Sequence, residues 1–353
     1  MVDAGAADKL LTVIVPAFNV EEYLPRCLES LAANADALAR LDVIVVNDGS
    51  TDGTGAAAHA FARAHPLSAR VLDKPNGHYG SCVNAALPLA RGRYVKILDA
   101  DDAAEPSGLA ALVAALAEES ASRTPADCVL ADYAEVDVSG RVTRAVHYGY
   151  ASGTAFDAAS EPRLGRDHLD VHALSYRTDM LRTMGYRQTE GVPYTDTEWY
   201  TEPFAEVARV RYVPQVSAHY VLGREGQSMA AANYLRDFHV IPDLALALIR
   251  RAPSRRSGVG YALFRARIRF LLEAIYVKAL LSLARDRPDW DLAAFDARLL
   301  SLDPQMYAEM QEATTSSFRF HYVAAWRRRR TSRTLSFAIY WGARGIRAVF
   351  RRR

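Results

Sequence analysis

The sequence has little cysteine, and what it has is scattered: Cys27, Cys82 and Cys128 are the whole set. Three widely spaced thiols form no zinc spacing and no disulfide framework, so they read as reduced apolar fillers. Long apolar runs are missing too. No stretch approaches the roughly 18–20 residues that a transmembrane helix needs. The N-terminus has no basic segment followed by an apolar core, so no signal peptide is expected. No Gly-x-Gly-x-x-Gly follows the first apolar strand, which disfavours an ordinary dinucleotide-binding oxidoreductase. No internal repeat of fixed period is present, and no acidic residue follows Glu312.

That last absence divides the chain. Eleven arginines and no Asp or Glu lie between Arg319 and Arg353, while the whole chain carries only +2. The preceding residues therefore carry −9 once those eleven charges are set aside. An acidic body with a basic tail argues against a broad nucleic-acid surface. The 353 residues leave room for two domains, or one with an extension.

The N-terminal half alternates apolar runs with helical periodicity. Strands are predicted over Leu10–Pro16, Asp42–Val46, Arg70–Leu72, Arg93–Leu98 and Cys128–Ala131. Helices are predicted over Glu21–Ala33, Thr54–His65, Tyr79–Ala90 and Pro106–Glu119. Short runs that are apolar on both faces describe a parallel sheet covered by helices. From Val136 to His219 the pattern breaks into short strands and loops, with His219 placed after a strand at Arg209–Val213. From Tyr234 to Met310 it is mostly helical.

Ligands of such sheets bind beyond the carboxyl ends of the strands. Three polar clusters fall there: Pro16-Ala17-Phe18-Asn19, Asn47-Asp48-Gly49-Ser50, and Asp99 to Asp102. The third places Asp99, Asp101 and Asp102 within four residues. Carboxylates that close repel one another, and a hard divalent cation shared with a phosphate would hold them ionised. A solvated turn capping the helix at Pro106 is the plainer alternative. Convergence of three clusters on one sheet edge favours the ligand site. Lys74 is a candidate for a diphosphate contact or a solvated loop lysine, and His78 a donor contact or a merely polar loop residue.

The segments VIVPAFNVEEYLPRCLESL, VIVVNDGSTDGT, KPNGHYGSCVNAAL and GRYVKILDADD resemble, in that order, the motifs of family-2 inverting glycosyltransferases with the GT-A fold. The resemblance is dense over roughly the first 110 residues. YTDTEWY and HYVLGREGQS are similar to later family features, less specifically. It implies an α/β fold with a mostly parallel sheet flanked by helices, then a helical C-terminal region. It implies a nucleotide-sugar donor, with uridine favoured as the nucleoside, and a divalent cation, Mg²⁺ or Mn²⁺, as cofactor. It implies hexosyl transfer to a hydroxyl of a glycan or lipid-linked acceptor in envelope or polysaccharide synthesis.

Residue by residue, the resemblance implies that Pro16, Ala17, Phe18 and Asn19 line the base pocket, with Asp48 accepting from the base. The loop with Gly77 and His78 would run past the nucleotide, with Ser81 and Asn84 facing it. Asp99 would hold the ribose, next to Ala100. Asp101 would hold the metal, Asp102 sharing either task, with His219 a possible third ligand or a structural histidine. Asp196 would be the general base, with Glu198 its rival, and the family's frequent Glu-Asp reads Thr195-Asp196 here. Arg224 suits a phosphate contact through its planar fork.

The expected organisation is a catalytic domain over 1–233, with a nucleotide-sugar-binding half (1–135) and an acceptor-side half (136–233). A helical region (234–318) and a basic amphipathic tail (319–353) follow. In the tail Arg333, Arg344, Arg347 and Arg351 oppose Leu335, Ile339, Ile346, Val349 and Phe350 on a helical wheel. That pattern suits an anionic membrane surface, with Trp326 and Trp341 at the interface, or a helix docked on the body. A cytoplasmic protein held peripherally on the inner face of the membrane is the expectation. Competing functions are a sugar nucleotidyltransferase, disfavoured by PAFN where a Gly-rich, Arg-containing loop is needed, and a non-catalytic binding module, disfavoured by the intact acidic residues.

Overall fold

The structure is a computed structural model that describes residues 8–224, 231–252, 257–280, 290–314 and 321–329. Two compact units divide the chain: residues 1–227 with 257–264, and residues 228–256 with 265–353.

The first unit is built on one mixed sheet. Strands β1 (Leu11–Ala17), β2 (Leu41–Asn47), β3 (Ala69–Asp73) and β4 (Tyr94–Ile97) run parallel in the order β3-β2-β1-β4. Leu11, Val13, Ile14, Val43, Ile44 and Val45 are almost wholly buried, which is why these runs have no polar face. Each such side chain stabilises the fold by about 1.5–3 kcal/mol.

Beyond β4 the order departs from five adjacent parallel strands. After β5 (Ala103–Ala104), β6 (Cys128–Asp137), β7 (Val142–Val146) and β8 (Phe156–Asp157), the short β9 (Leu174–Arg177) inserts between β4 and β6, antiparallel to both. The final strand, β10 (Arg209–Leu222), runs parallel to β6. The expected strand at Arg209–Val213 therefore continues nine residues further, and His219 lies inside it, opposite Ala103 and Ala134.

Helices α1 (Leu24–Ala32), α2 (Ala35–Ala39), α3 (Thr54–Ala64), α4 (His78–Ala86) and α5 (Pro106–Ala121) cover the sheet. The first starts at Leu24, not Glu21, with Pro25 in its first turn, where a missing N–H costs nothing. The fourth ends four residues early, because Pro88 cannot continue the ladder and a 3-10 turn over Leu87–Leu89 replaces it. The unit also holds α6 (Thr178–Thr183) and the one-turn α7 (Asp196–Trp199).

The second unit is helical, with described helices at Ala231–Asp237, Val240–Arg250, Leu292–Leu302, Pro304–Glu309 and Tyr322–Arg329; the helix Val259–Lys278 begins in the first unit and continues into it. Trp326 does not face an interface: it is buried and packs 6.2 Å from Tyr276, ring centre to ring centre. Arg327 clamps the buried Asp296, its Nη2 donating at 2.7 Å. The first turns of the basic tail are thus docked, and the wheel from Arg333 to Arg351 lies outside the described residues. No helix among the described residues is long and apolar enough to cross a membrane.

Candidate active site

The carboxyl ends of β1, β2 and β4 bring the three polar clusters to one edge. The loops after β1 and β2 are zipped together: Thr51 N–H donates to Asn19 Oδ1 at 2.9 Å, and Asn19 N–H to Ser50 Oγ at 3.1 Å. Asn19 pays for this with a left-handed φ of 50°. Pro16 and Ala17 end the strand inside, whereas Phe18 is 48% exposed at the rim.

Asp48 is buried and already held. Lys74 Nζ donates to Asp48 Oδ1, and Gly77 N–H donates to the same oxygen at 3.0 Å. The ammonium also donates to Ser81 Oγ at 2.8 Å. Lys74 is therefore the counter-charge of Asp48, not a free phosphate ligand. Gly77 has no side-chain option here, because a Cβ would sit 2.6 Å from Ser81 Oγ and 3.2 Å from Lys74 Nζ. His78, exposed, opens α4 with φ 65°, strain that a non-glycine residue rarely carries.

Asn84 does not face the edge as expected. Its Nδ2 donates to Gln188 O and Glu190 Oε1, both at 2.8 Å, and its Oδ1 accepts from Gln188 N–H at 2.8 Å. The side chain is consumed in pinning the loop that leads to α7. Gly80 lets that loop approach, since a Cβ there would lie 2.1 Å from Thr189 O.

The acidic cluster is divided by its partners. Asp99 accepts from Tyr79 OH at 2.9 Å, and burial raises its pKa to about 6. Ala100 is buried between the carboxylates. Asp101 pairs with Arg224, while Arg26 Nη2 donates to Asp101 O at 3.0 Å. Asp102 is fully buried, and burial, with repulsion from Asp101 and Asp99, holds its pKa well above the usual range. Its Oδ1 accepts from Val221 N–H at 2.8 Å, and its Oδ2 makes no hydrogen bond among the described residues.

Among the described residues, the His, Cys, Asp and Glu side chains whose ligand atoms gather within 4.8 Å are Asp99, Asp102 and His172. Of the trio Asp101, Asp102 and His219, the structure brings only Asp102 into this group. His219 is partly buried, and the charges acting on it are those of Glu105 and Arg26, after burial, which lowers its pKa. No sequence motif marks His172, because the strand it precedes is too short to register.

Asp196 opens α7 and is partly exposed; burial, then the charge of Asp170, raises its pKa to about 6. Its charge in turn acts on Asp99, after burial and stronger neighbouring effects. Glu198 is fully buried and occupied: Oε2 accepts from Thr189 N–H at 2.6 Å and Oε1 from Thr189 Oγ1 at 2.8 Å. Asp170 is the other residue that sequence motifs missed.

Residues 12–144 match Glycosyl transferase family 2, and this part of the chain is a family-2 glycosyltransferase domain. It is 37% identical over 100 residues to the chondroitin synthase of Pasteurella multocida (strain Pm70), covering 28% of this chain and 10% of that protein. It is 27% identical over 214 residues to the uncharacterized glycosyltransferase YibD of Escherichia coli (strain K12), covering 60% of this chain and 61% of that one. The aligned parts thus span from 10% to 61% of these relatives' lengths. Residues 1–349 of S. aureus TarS, crystallised with UDP-GlcNAc, superpose with a TM-score of 0.67 at 19% identity, covering 94% of this chain and 89% of that one. That likeness establishes the fold: a mixed sheet flanked by helices, with helices following.

Proposed function

We propose that this enzyme moves a sugar from a nucleoside-diphosphate donor to a glycan or lipid-linked hydroxyl with inversion at the anomeric carbon, Asp196 acting as general base. The observation that carries the reading is Asp196 itself: a half-buried carboxylate at the start of α7, its pKa raised by burial to about 6 and its charge acting on Asp99 of the acidic cluster. A base of that pKa is ionised at pH 7 yet strong enough to take a proton from a positioned hydroxyl. The acceptor oxygen then bonds to the anomeric carbon as the bond to the diphosphate oxygen breaks on the opposite face. The TarS complex with UDP-GlcNAc makes uridine diphosphate sugars the first donors to try. The chondroitin synthase likeness supports a polysaccharide acceptor.

The donor set fits a hard divalent cation. Asp99, Asp101 and Asp102, three carboxylates within four residues with raised or paired charges, describe a centre short of positive charge. Asp102 and His172 are sealed from solvent, so a cation shared with a diphosphate would be held at the open side, by Asp101 with Asp99. Such a cation would neutralise the charge that develops on the leaving diphosphate. Phe18 and the Asn19–Thr51 zipper would take the base, Asp48 and its Gly77 clamp shaping the pocket floor. Arg224, released from Asp101, is the candidate for the phosphates. We assign residues 330–353, which carry seven arginines and no acidic residue, to an anionic membrane surface where a lipid-linked acceptor would be found.

Incubating the purified chain with UDP-sugars, with Mn²⁺ or with EDTA, tests the reading. Release of UDP that requires the cation, with the anomeric configuration inverted in the NMR spectrum of the product, is expected. Full activity in EDTA, or a retained configuration, rejects it.

A further inference from the structure

His172 sits in the 3-10 turn Val171–Ala173, just before β9, and is 2% exposed. Both ring nitrogens meet carboxylates. Nδ1 lies 3.3 Å from Asp102 Oδ2, and Nε2 lies 3.4 Å from Asp170 Oδ1. The first contact joins His172 Nδ1 and Asp102 Oδ2, neither of which makes a hydrogen bond among the described residues. The second reaches toward the base, because Asp170 is the charge that, after burial, most raises Asp196. The ring is held on its faces by Tyr220 at 4.6 Å and Tyr133 at 5.7 Å between centroids, and His172 O accepts from the buried Lys96.

A buried polar contact of this kind is a poor way to stabilise a core, since apolar residues of similar volume serve as well or better. Here the contact stands between the two halves of a reaction centre. We propose that His172 is a positioning residue: its ring ties Asp102, behind the donor cluster, to Asp170, beside the base, and so fixes the distance between donor and base. The inference rests on the reading of Asp196 as the base. Neither carboxylate can shift without disturbing the other, and the protein keeps a polar bridge where packing alone would favour an apolar one.

Three variants of the full chain separate the contacts. His172→Phe keeps the ring and loses both; His172→Asn replaces Nδ1 alone; His172→Gln replaces Nε2 alone. Each is assayed for kcat and KM on the UDP-sugar that the wild type turns over, for Mn²⁺ binding by electron paramagnetic resonance without nucleotide, and for thermal unfolding. His172→Phe is expected to lower kcat by about 10–100-fold, the usual cost of losing an outer-shell partner, with donor KM within about threefold. His172→Asn should recover about tenfold of that loss. Wild-type kcat in His172→Phe overturns the proposal. So does loss of activity in step with melting temperature and without recovery in His172→Asn, or failure of all three to fold, which mark a structural role. Loss of bound Mn²⁺ from His172→Phe, with activity restored by excess Mn²⁺, makes His172 a metal ligand and overturns it too. A wild-type chain that turns over no nucleotide sugar instead rejects the function, and this inference with it.

Discussion

Glu198 and Thr189 are joined twice: the buried carboxylate accepts the Thr189 backbone N–H at 2.6 Å and its hydroxyl at 2.8 Å. This settles what Glu198 does in the fold. With both oxygens committed, it anchors the loop that Asn84 pins from the other side, and that loop delivers Asp196.

The two neighbouring acids should therefore respond differently. Glu198→Gln loses a charge-assisted pair and should cost about 2 kcal/mol of stability, seen in denaturant melts. Asp196→Asn should leave UDP binding nearly intact while turnover falls by about 10²-fold or more. An Asp196→Asn variant with normal kcat, beside an inactive but fully stable Glu198→Gln, would reverse the assignment.

The pH profile gives an independent check. A base that must be ionised, with its pKa raised to about 6, loses activity as pH falls through that value. The acidic limb of kcat/KM should centre near pH 6 rather than near 4. The linkage has the opposite sign for stability. A carboxyl whose folded pKa is raised favours the fold below its unfolded pKa, and that contribution is lost as pH rises through about 6. Asp196→Asn should thus gain stability relative to the wild type between pH 5 and pH 7, measured by urea melts at each pH; no relative gain rules out the raised value.

Lys74 tests the floor of the proposed nucleotide pocket. Its partner Asp48 is buried, so Lys74→Met leaves an uncompensated carboxylate and should cost about 3 kcal/mol. Gly77→Ala should weaken UDP binding with less effect on stability, because its Cβ would press on Ser81 and Lys74. If Lys74 served phosphate alone, Lys74→Met would melt like the wild type and lose only donor affinity.

Two truncations divide the basic tail. Ending the chain after Arg329 keeps the Arg327–Asp296 clamp, so the melting temperature should hold while binding to anionic liposomes at low salt is lost. Ending it after Trp326 strands Asp296 and should cost about 3 kcal/mol. Liposome binding that survives the shorter deletion would place the membrane contact elsewhere.

Much of the donor side was legible because it is local. A continuous apolar run such as Val43 to Val46 can be satisfied only inside a covered sheet, and acids that follow such runs must lie at its carboxyl edge. Pro25 and Pro88 mark helix limits through their missing N–H, although only the structure showed which limits.

What sequence alone determined was the set of groups at that edge, Asp48 and the carboxylates from Asp99 to Asp102; Asp196 entered only through the family resemblance. Only the tertiary structure decided how each is used. Lys74 neutralises Asp48, Asn84 pins a loop more than a hundred residues away, and Glu198 is an anchor while the charge of Asp196 acts on Asp99. It alone brought in His172 and Asp170, through β9 entering antiparallel between β4 and β6. The physical reason is range: burial and strand-end placement follow from neighbours in the chain, whereas hydrogen-bond and charge partners follow from which distant segment the closed sheet sets alongside.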